Sequence, residues 1–456
     1  MTQKILIANR GEIACRIIES CRRLKLHTVA VYSDVDANSR HVAMADQRVA
    51  IGGSHARDSY LNSQAILEAA RGVSATAIHP GYGFLSENAQ FADAVSRAGM
   101  IWIGPTAETI TNMGDKERAR KIAFEAGVPI LPGSDRFVEQ NNDYLQEAAL
   151  QVGYPLLVKA AAGGGGIGMR EVARPQDLVA VVEATQSMAG KAFGDRAVYL
   201  ERFVPRARHI EVQIFGFGNG ASIHLHDREC SIQRRFQKIV EEAPAPHIST
   251  SVRHKLHGAA VALASAQNYS GAGTVEFIYD CDRDRVYFLE MNTRIQVEHP
   301  VTEMVTGIDL VAWQIKHALG ALGQISQERI AVTGHAIECR LYAERPEKKF
   351  LPSSGTISRL CWPRADSTCR IDTGVREGDQ ISPYYDPMIA KIIALGSDRA
   401  SAIERLRSAL GELTLDGLGT NARFLINLVA DKRFGAGDVT TGFVDHYFMK
   451  RETVSV

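Results

Sequence analysis

The sequence lacks the features of several large protein classes. Its 456 residues include only 7 cysteines, an odd number with no pair spaced as CxxC, which favours a reducing, cytosolic setting. Lys plus Arg equals Asp plus Glu at 52 each, so no net charge draws the chain to nucleic acid or to an anionic membrane. No apolar run approaches the ~18 residues of a membrane span. Small molecules and other proteins are therefore the expected partners, with no nucleic acid and no membrane.

The N-terminal residues also lack an export signal, because no basic segment is followed by a long apolar stretch and a small-residue cleavage site. A cytoplasmic location is therefore expected. The composition, with 45% hydrophobic and 23% charged residues, is close to the average for globular proteins and predicts a well-packed core. The length favours two to four structural units over one.

Alternating strand and helix patterns open the chain. A strand at 4–8, a helix that ends near Leu24 and a strand at 28–32 form a βαβ unit, and similar alternation follows. The pattern predicts a doubly wound α/β domain at 1–114. A dinucleotide-binding domain is the usual alternative, but no GxGxxG follows the first strand.

The remainder of the chain divides by composition. A small α/β segment at 130–203 is predicted to be a mobile lid within a domain that covers 115–330. Beyond it, the segments HIEVQIFG, SIHLHDREC, GTVEFIY and RVYFLEMN predict a mainly antiparallel sheet. Short strands and two final helices predict an α+β domain at 331–447.

The segments GTVEFIYD and RVYFLEMN are typical of a β-hairpin that turns at 281–284. Pairing Asp280 with Val286 places Glu276 opposite Glu290, and the period of two puts Asn292 on the same face. Opposed carboxylates destabilise a sheet unless something compensates, and a divalent cation bound by hard oxygen ligands would do so. Two solvated surface acids in a slightly shifted register are an equally good interpretation of the spacing.

A glycine-rich segment, Lys159-Ala-Ala-Ala-Gly-Gly-Gly-Gly-Ile-Gly-Met-Arg170, follows an apolar strand. Consecutive glycines leave backbone N–H groups free to approach anionic oxygens, and Lys159 adds a positive charge. The segment is not a P-loop, because no GK[ST] closes it. It is consistent with a cover over nucleotide phosphates or, alternatively, with a flexible tether.

Basic residues form the third feature. Arg228, Arg234, Arg235 and Lys238 lie in DRECSIQRRFQKIVEEAPAP, and Arg294 follows the Glu290-x-Asn292 pair. Anion binding is one interpretation, and a solvated charged loop is the commoner one for the first group. Arg294 differs, because the predicted metal strand carries it to the acids.

Together these blocks resemble the biotin carboxylase family of the ATP-grasp superfamily. The resemblance includes HPGYGFLSEN at 79, GGGGIGMR at 163, ECSIQRR with EEAPAP from 229, EMNTRIQVEHPVTE at 290, GHAIECRLYAE at 334 and PYYDPMIAKII at 383. It implies an ATP-grasp fold with an N-terminal α/β domain, a mobile lid and a C-terminal α+β domain. It also implies that ATP phosphorylates bicarbonate and that the carboxyl group passes, through carboxyphosphate, to biotin.

The resemblance further implies a role for individual residues. Glu298 would be the base, Arg340 the cation opposite the biotin ureido oxygen, and Tyr82 a further substrate contact. The remaining implied contacts are Lys116, Lys159, Gly165 and Gly166 to ATP phosphates; Glu201, Arg202, Phe203, Val204, His209 and Gln233 to adenine and ribose; Glu276, Glu290 and Asn292 to two magnesium or manganese ions; and Lys238, Arg294, Gln296 and Val297 to bicarbonate.

The sequence departs from the family at two positions of the nucleotide site. Phe236 stands where the family usually has His or Asn, and Ile167 where many members have Lys or Arg. A catalytically weakened regulatory subunit is therefore an alternative, as is another ATP-grasp ligase of the carbamoyl phosphate synthetase type. No Met-Lys-Met-like segment lies in the middle of a further domain, so biotin is expected either on a separate carrier protein or on a further part of a longer chain. Carboxyltransferase subunits are expected as further partners, and a homodimer as the assembly. Several stretches look closer to acyl-CoA carboxylase α chains and urea carboxylase than to the bacterial acetyl-CoA carboxylase subunit.

Overall fold

The computed structural model describes residues 3–138, 142–161, 168–234 and 237–445 and begins with a parallel sheet. The strands of this sheet lie in the order β3-β2-β1-β4-β5 and all pair in parallel. The elements of this part are β1 (Lys4–Ile7), α1 (Gly11–Arg23), β2 (His27–Tyr32), α2 (Arg40–Met44), β3 (Gln47–Ala50), α3 (Ser63–Gly72), β4 (Ala77–His79), α4 (Ala89–Arg97), β5 (Ile101–Trp102) and α5 (Ala107–Gly114).

Both faces of this sheet are covered. On β1, Leu6 packs into one hydrophobic cluster, whereas Ile5 and Ile7 pack into another. Helix α1 contributes Ile13 and Ile17, one turn apart, to the second cluster, as expected of an amphipathic helix on a sheet. The predicted doubly wound arrangement is confirmed.

A smaller antiparallel sheet, in the order β7-β6-β8, lies within the segment predicted as a lid. Leu156 and Val158 of β6 pack with Leu145 and Val182 of the neighbouring helices. The glycine run of the predicted phosphate cover falls between β6 and β7, and its residues 162–167 lie outside the described residues. The elements here are α6 (Lys116–Glu125), α7 (Asn142–Val152), β6 (Leu156–Ala160), β7 (Met169–Val172), α8 (Leu178–Phe193) and β8 (Val198–Arg202).

Residues 207–435 build an eight-stranded sheet, its covering helices and the two-stranded sheets β15-β16, β17-β20 and β18-β22. The first half of this segment comprises β9 (Ala207–Phe217), β10 (Ser222–Arg234), β11 (Gln237–Ala243), α9 (Thr250–Ala266), β12 (Ser270–Asp280), β13 (Arg285–Asn292), α10 (His299–Thr306) and α11 (Leu310–Ala318). The second half of this segment comprises β14 (His335–Tyr342), β15 (Glu344–Arg345), β16 (Leu351–Pro352), β17 (Gly355–Thr356), β18 (Arg359–Cys361), β19 (Cys369–Thr373), β20 (Gln380–Ile381), β21 (Met388–Gly396), α12 (Arg399–Glu412), β22 (Thr414–Asp416), α13 (Ala422–Val429) and α14 (Lys432–Gly435).

The large sheet has the strand order β13-β12-β9-β10-β11-β14-β21-β19, and every neighbouring pair is antiparallel, as predicted. Alternation along β9 gives its two faces different chemistry. Ile210, Val212 and Ile214 pack with α9 residues in a hydrophobic cluster. The intervening His209 and Glu211 are buried on the opposite face. The sheet therefore presents buried polar side chains on one face while an apolar core holds the other.

The hairpin of β12 and β13 corrects the predicted register near the turn. Asp280 pairs with Arg285, and Phe277 pairs with Phe288, one residue away from the predicted pairing. A bulge then shifts the register, so that Glu276 does lie opposite Glu290. The bulge inserts Leu289 as an extra residue on β13, which is how an incorrect turn register still led to the correct carboxylate pair.

Among the described residues, no helix is both long enough and apolar enough to cross a membrane.

Candidate active site

A cleft of about 650 Å³ separates the small sheet from the polar face of the large sheet. It gathers nearly all the predicted site residues whose positions the structure describes. Those that line it are Lys116, Lys159, Glu201, Arg202, Phe203, Val204, His209, Gln233, Lys238, Glu276, Glu290, Asn292, Arg294, Gln296, Val297, Glu298 and Arg340.

Three predicted contacts do not line this cleft. Gly165 and Gly166 lie outside the described residues. Tyr82 packs beside the cluster that contains Ile5 and Ile13, and its hydroxyl is buried without a hydrogen-bond partner among the described residues. Tyr82 is therefore not among the residues that line the cleft, and its role as a substrate contact stays a prediction.

At the small-sheet end of the cleft, Glu201 lies between two cations. Lys159 of β6 forms an ion pair with one oxygen of Glu201, and Arg120 Nη1 donates to the other over 2.8 Å. The neighbouring Arg202 turns its side chain away, since its Nε donates to the carbonyl oxygen of Val152 over 2.8 Å. At this end of the cleft, Lys159 and Arg120 are therefore both paired with the carboxylate of Glu201. Another anion could take the place of that carboxylate.

The opposed carboxylates differ in how they are neutralised. Glu276 is 3% exposed and its Oε1 accepts hydrogen bonds from Lys238 over 2.8 Å, Asn292 over 2.9 Å and Gln296 over 2.7 Å. Burial would raise the pKa of Glu276, but Lys238 and His209 hold it well below its usual range. Burial and the charge of Glu276 raise the pKa of Glu290. The neighbouring cations therefore compensate the charge of Glu276 more fully than that of Glu290, and the interpretation as solvated surface acids is wrong for Glu276.

Lys238 is the centre of the charge network on β11. Its ammonium donates to Glu211 over 2.6 Å, Glu276 over 2.8 Å and Glu298 over 2.6 Å. Burial disfavours the charged form, yet these three carboxylates raise the pKa of Lys238 well above its usual value. A permanently charged ammonium therefore joins the carboxylate pair to Glu298.

Glu298 lies between Lys238 and Arg340, immediately before α10. Arg340 Nη2 donates to Glu298 Oε2 over 2.9 Å, and Arg340 Nε donates to Glu241 Oε1 over 2.6 Å. Burial would raise the pKa of Glu298, but Lys238, Arg340 and Arg228 hold it well below its usual range. The carboxylate is therefore ionised and is able to accept a proton once its cationic partners are drawn elsewhere.

Arg228 supports this network from beneath and is 0% exposed, so the solvated-loop interpretation is wrong for it. The β10–β9 register places it opposite Glu211, with which it forms an ion pair. Its two Nη atoms donate to the side chains of Gln213 over 2.7 Å and Gln296 over 3.0 Å. Arg228 therefore fixes Glu211 and Gln296, each of which also contacts a residue of the Lys238 cluster.

Several residues of the site were not assigned from the sequence. Glu87, in the HPGYGFLSEN block, accepts a hydrogen bond from Arg294 Nε over 2.9 Å. Lys391 is 0% exposed and donates to the Val297 carbonyl oxygen over 2.8 Å, next to Glu12 at 3.3 Å. Glu87, Glu241 and Lys391 belong to motifs of the resemblance that could have indicated them, whereas only the fold brings Glu12 next to Lys391.

The sequence matches three family models. The biotin carboxylase N-terminal domain covers residues 1–110, the ATP-binding domain of the carbamoyl-phosphate synthase L chain covers 115–325, and the biotin carboxylase C-terminal domain covers 338–446.

Curated relatives match over nearly the whole chain. The chain is 46% identical to biotin carboxylase 1 of Bacillus subtilis, with 98% of this chain and 99% of that protein covered. It is 50% identical to the mitochondrial methylcrotonoyl-CoA carboxylase subunit alpha of Glycine max, with 98% of this chain and 61% of that protein covered. The chain therefore spans about 61% of the length of this larger relative.

Solved structures show the same three-part architecture. The biotin carboxylase domain dimer of Hydrogenobacter thermophilus 2-oxoglutarate carboxylase, in complex with MgADP, ADP and bicarbonate, is 44% identical with a TM-score of 0.90, and 98% of each chain is covered. The Campylobacter jejuni biotin carboxylase in its β,γ-ATP complex is 40% identical with a TM-score of 0.91, and 98% of this chain and 99% of that chain are covered. These similarities confirm the predicted ATP-grasp fold.

Proposed function

This chain belongs to the biotin carboxylase family, and from that premise we propose that it uses ATP to phosphorylate bicarbonate and passes the carboxyl group to N1 of biotin. The product is N1-carboxybiotin, with ADP and phosphate, so the enzyme is a ligase that forms a carbon–nitrogen bond. The observation that carries the proposal is Glu298, held between Lys238 and Arg340 in the cleft that also contains the Glu276–Glu290 pair. The matches to biotin carboxylase models at both ends argue against a carbamoyl phosphate synthetase-like enzyme.

The donor set at Glu276 and Glu290 fits magnesium or manganese. Carboxylate oxygens are the hard ligands that these ions prefer, Asn292 adds an amide next to Glu276, and a bound cation would offset the burial and the charge of Glu276 that raise the pKa of Glu290. We propose that Glu276 and Glu290, with Asn292 beside them, hold two such ions. When bound, the ions would neutralise charge on the transferred phosphoryl group.

The chain's own cations would orient ATP from the other side of the cleft. We propose that Lys116, Lys159 and the glycine run contact the phosphates, and that residues 201–204, His209 and Gln233 hold adenine and ribose. Lys159 would exchange Glu201 for phosphate oxygens, since the two anions compete for one ammonium. Closure of the proposed lid over this end would exclude water from the phosphoryl transfer.

Bicarbonate would bind where Arg294, Gln296, Lys238 and the Val297 backbone converge. We propose that Glu298 removes its proton, which turns a poor nucleophile into one that attacks the γ-phosphate. Lys238 links this step to anion binding. An anion that binds to the ammonium of Lys238 would weaken the ion pair between Lys238 and Glu298. The carboxylate of Glu298 would then become a stronger base.

Carboxyphosphate would then break down into CO2 and phosphate beside the biotin ring. The released phosphate takes the N1 proton, and Arg340 stabilises the negative charge that develops on the ureido oxygen. The deprotonated N1 then attacks the carbon of CO2 and forms the carbon–nitrogen bond of N1-carboxybiotin. Because Arg340 also contacts Glu298, the two half-reactions share one guanidinium–carboxylate pair. This sharing would keep the bicarbonate and biotin sites within a few ångströms of each other.

We propose a carrier protein bearing biotin and a carboxyltransferase component as partners, because methylcrotonoyl-CoA carboxylase alpha subunits are among the relatives and extend beyond the region matched here. An acyl-CoA is the acceptor class that this similarity favours. A homodimer is proposed from the dimeric structural relative. A reducing compartment such as the cytoplasm is consistent with 7 free cysteines.

The purified chain is expected to hydrolyse ATP only slowly with magnesium alone, and faster when bicarbonate and then free biotin are added. The physical reason is that Glu298 has a proton to remove only when bicarbonate occupies the site. Steady-state ADP release under the three conditions measures this dependence. Tight ATP binding without bicarbonate-dependent turnover would instead indicate the weakened regulatory subunit.

A further inference from the structure

Three histidines come together on the face of the large sheet that lies opposite the cleft. His224 and His226 belong to β10, and His257 belongs to α9, which packs across this face. One possible ligand atom from each ring lies within 4.8 Å of those from the other two. The β10–β9 register pairs His224 with Ile214, a residue of the apolar face. The cluster is therefore separate from the proposed active site.

The backbone at this cluster has an unusual conformation. His226 has φ +65°, a left-handed conformation that costs a non-glycine residue free energy. The strand register is irregular between His224 and Asp227. The resulting turn brings the His226 ring back towards the His224 ring, with centroids 5.1 Å apart. The His226 Nε2 atom is buried and has no hydrogen-bond partner among the described residues.

A buried carboxylate orients the third ring. Asp227 is 0% exposed, and its Oδ1 lies 2.8 Å from His257 Nε2. The other ring nitrogen, His257 Nδ1, is therefore the one that would bind a metal ion. Asp227 is itself fixed by the Ala245 N–H over 2.9 Å and by an ion pair with Arg253. A carboxylate that holds the far nitrogen of an imidazole is the usual outer partner of a metal-ligating histidine.

We propose that His224, His226 and His257 bind a divalent transition-metal ion of the Zn²⁺ class, with Asp227 as the outer partner of His257. Neutral imidazole nitrogens are ligands that Zn²⁺ prefers, whereas magnesium prefers oxygen.

Small side-chain rotations would complete the site. Zn–N bonds of about 2.0 to 2.1 Å in a tetrahedron place the nitrogens roughly 3.4 Å apart, so the present atoms need to approach one another. The His224 and His257 rings are stacked with centroids 4.0 Å apart, and turning one ring about its side-chain bonds redirects its nitrogen to the centre. His224 and His226 are partly exposed, which gives an ion access and leaves a fourth position for water.

A bound ion would join α9 to β10 beside the proposed active site. Asp227 and Arg228 are consecutive, and their side chains lie on opposite faces, because Asp227 pairs with Val212 and Arg228 with Glu211. Arg228 in turn holds Gln296 over 3.0 Å. The ion would therefore stabilise the segment from which Arg228 supports the Lys238 network, without contacting that network itself.

Titrating the metal-free 456-residue chain with Co²⁺ in excess Mg²⁺ tests the proposal, since Mg²⁺ would compete with Co²⁺ for the proposed carboxylate site. We expect one equivalent of Co²⁺ to give visible absorption bands of a low-coordinate nitrogen site, and Zn²⁺ to displace it. Zn²⁺ should also raise the midpoint of thermal unfolding, because the assembled site binds it more tightly than the unfolded chain does.

His226→Gly is the decisive variant, because glycine suits the left-handed backbone while removing one ligand. In the presence of a chelator, the variant should unfold cooperatively, as the parent chain does. It should show none of the Co²⁺ absorption bands and should bind Zn²⁺ more than about 100-fold more weakly than the parent. This loss of affinity exceeds the loss that removal of an outer partner of a ligand causes. His27→Ala, which changes a histidine of the N-terminal sheet, should retain full binding. Absence of the bands in the parent chain, or their persistence in His226→Gly, would refute the site.

Discussion

Replacement of Glu298 by Gln is expected to reduce bicarbonate-dependent ATP hydrolysis by about 100- to 10,000-fold, the usual range for loss of a general base. The amide has nearly the same shape as the carboxylate but cannot take the bicarbonate proton. It also removes the negative charge shared by Lys238 and Arg340. Because the Glu276–Glu290 pair remains, ATP affinity should change far less than turnover. Steady-state ADP release and equilibrium binding of ATP measure the two effects.

Glu125→Gln is the matched control for this change, because Glu125 is exposed at the end of α6. It should retain parental turnover. If Glu298→Gln also kept its bicarbonate dependence, another group would have to remove the proton, and the proposed role of Glu298 would be wrong.

Replacement of Arg340 by Ala is expected to separate the two half-reactions. Biotin carboxylation should fall by about 100- to 1,000-fold, the cost of removing one donor to a developing oxyanion, while bicarbonate-dependent ATP hydrolysis falls much less. Lys238 and Arg228 still hold Glu298 ionised. The ratio of carboxybiotin formed to ADP released reports this uncoupling directly.

Arg340 also neutralises buried Glu241, so Ala leaves an unpaired carboxylate and destabilises the fold. Arg340→Lys keeps the positive charge and provides the matched control, with a smaller loss of carboxylation and of thermal stability. An equal loss of both half-reactions in folded Arg340→Ala protein would contradict the proposed division of roles.

The hairpin shows what the sequence could and could not predict. Alternation along β12 and β13 predicted that Glu276 and Glu290 share one face of the hairpin, but the exact pairing was correct only because a bulge offsets the error in the predicted turn register. It did not reveal the bulge at Leu289, since the extra residue is set by packing and not by any local signal. The predicted register was therefore wrong between the turn and Phe277 but correct at the carboxylates.

The buried charge network was less predictable. In the sequence, Arg228 lies in a polar segment that does not indicate burial. Only the pairing of β10 with β9 places Arg228 against Glu211. The contact between Lys391 and Val297 joins residues 94 positions apart, so no local pattern encodes it. Motif resemblance identified Lys238, Glu298 and Arg340 together, but not the supporting side chains that keep them ionised.

Two sequence departures remain predictions. Phe236 and Ile167 both lie outside the described residues. Each removes a polar or charged group expected near the nucleotide, so the proposed consequence is weaker ATP binding without loss of the proton-transfer chemistry at Glu298.

The most direct test of the proposed reaction follows the oxygen atoms of bicarbonate. Turnover in ¹⁸O-labelled bicarbonate and unlabelled water, with ATP, magnesium and biotin, should place one labelled oxygen in the inorganic phosphate. This occurs because a bicarbonate oxygen attacks the γ-phosphorus and stays bonded to it when CO2 departs. Mass spectrometry of phosphate collected before the label exchanges with water gives the answer. Labelled phosphate is the predicted result, and unlabelled phosphate, whose one new oxygen would come from water, would contradict the formation of carboxyphosphate.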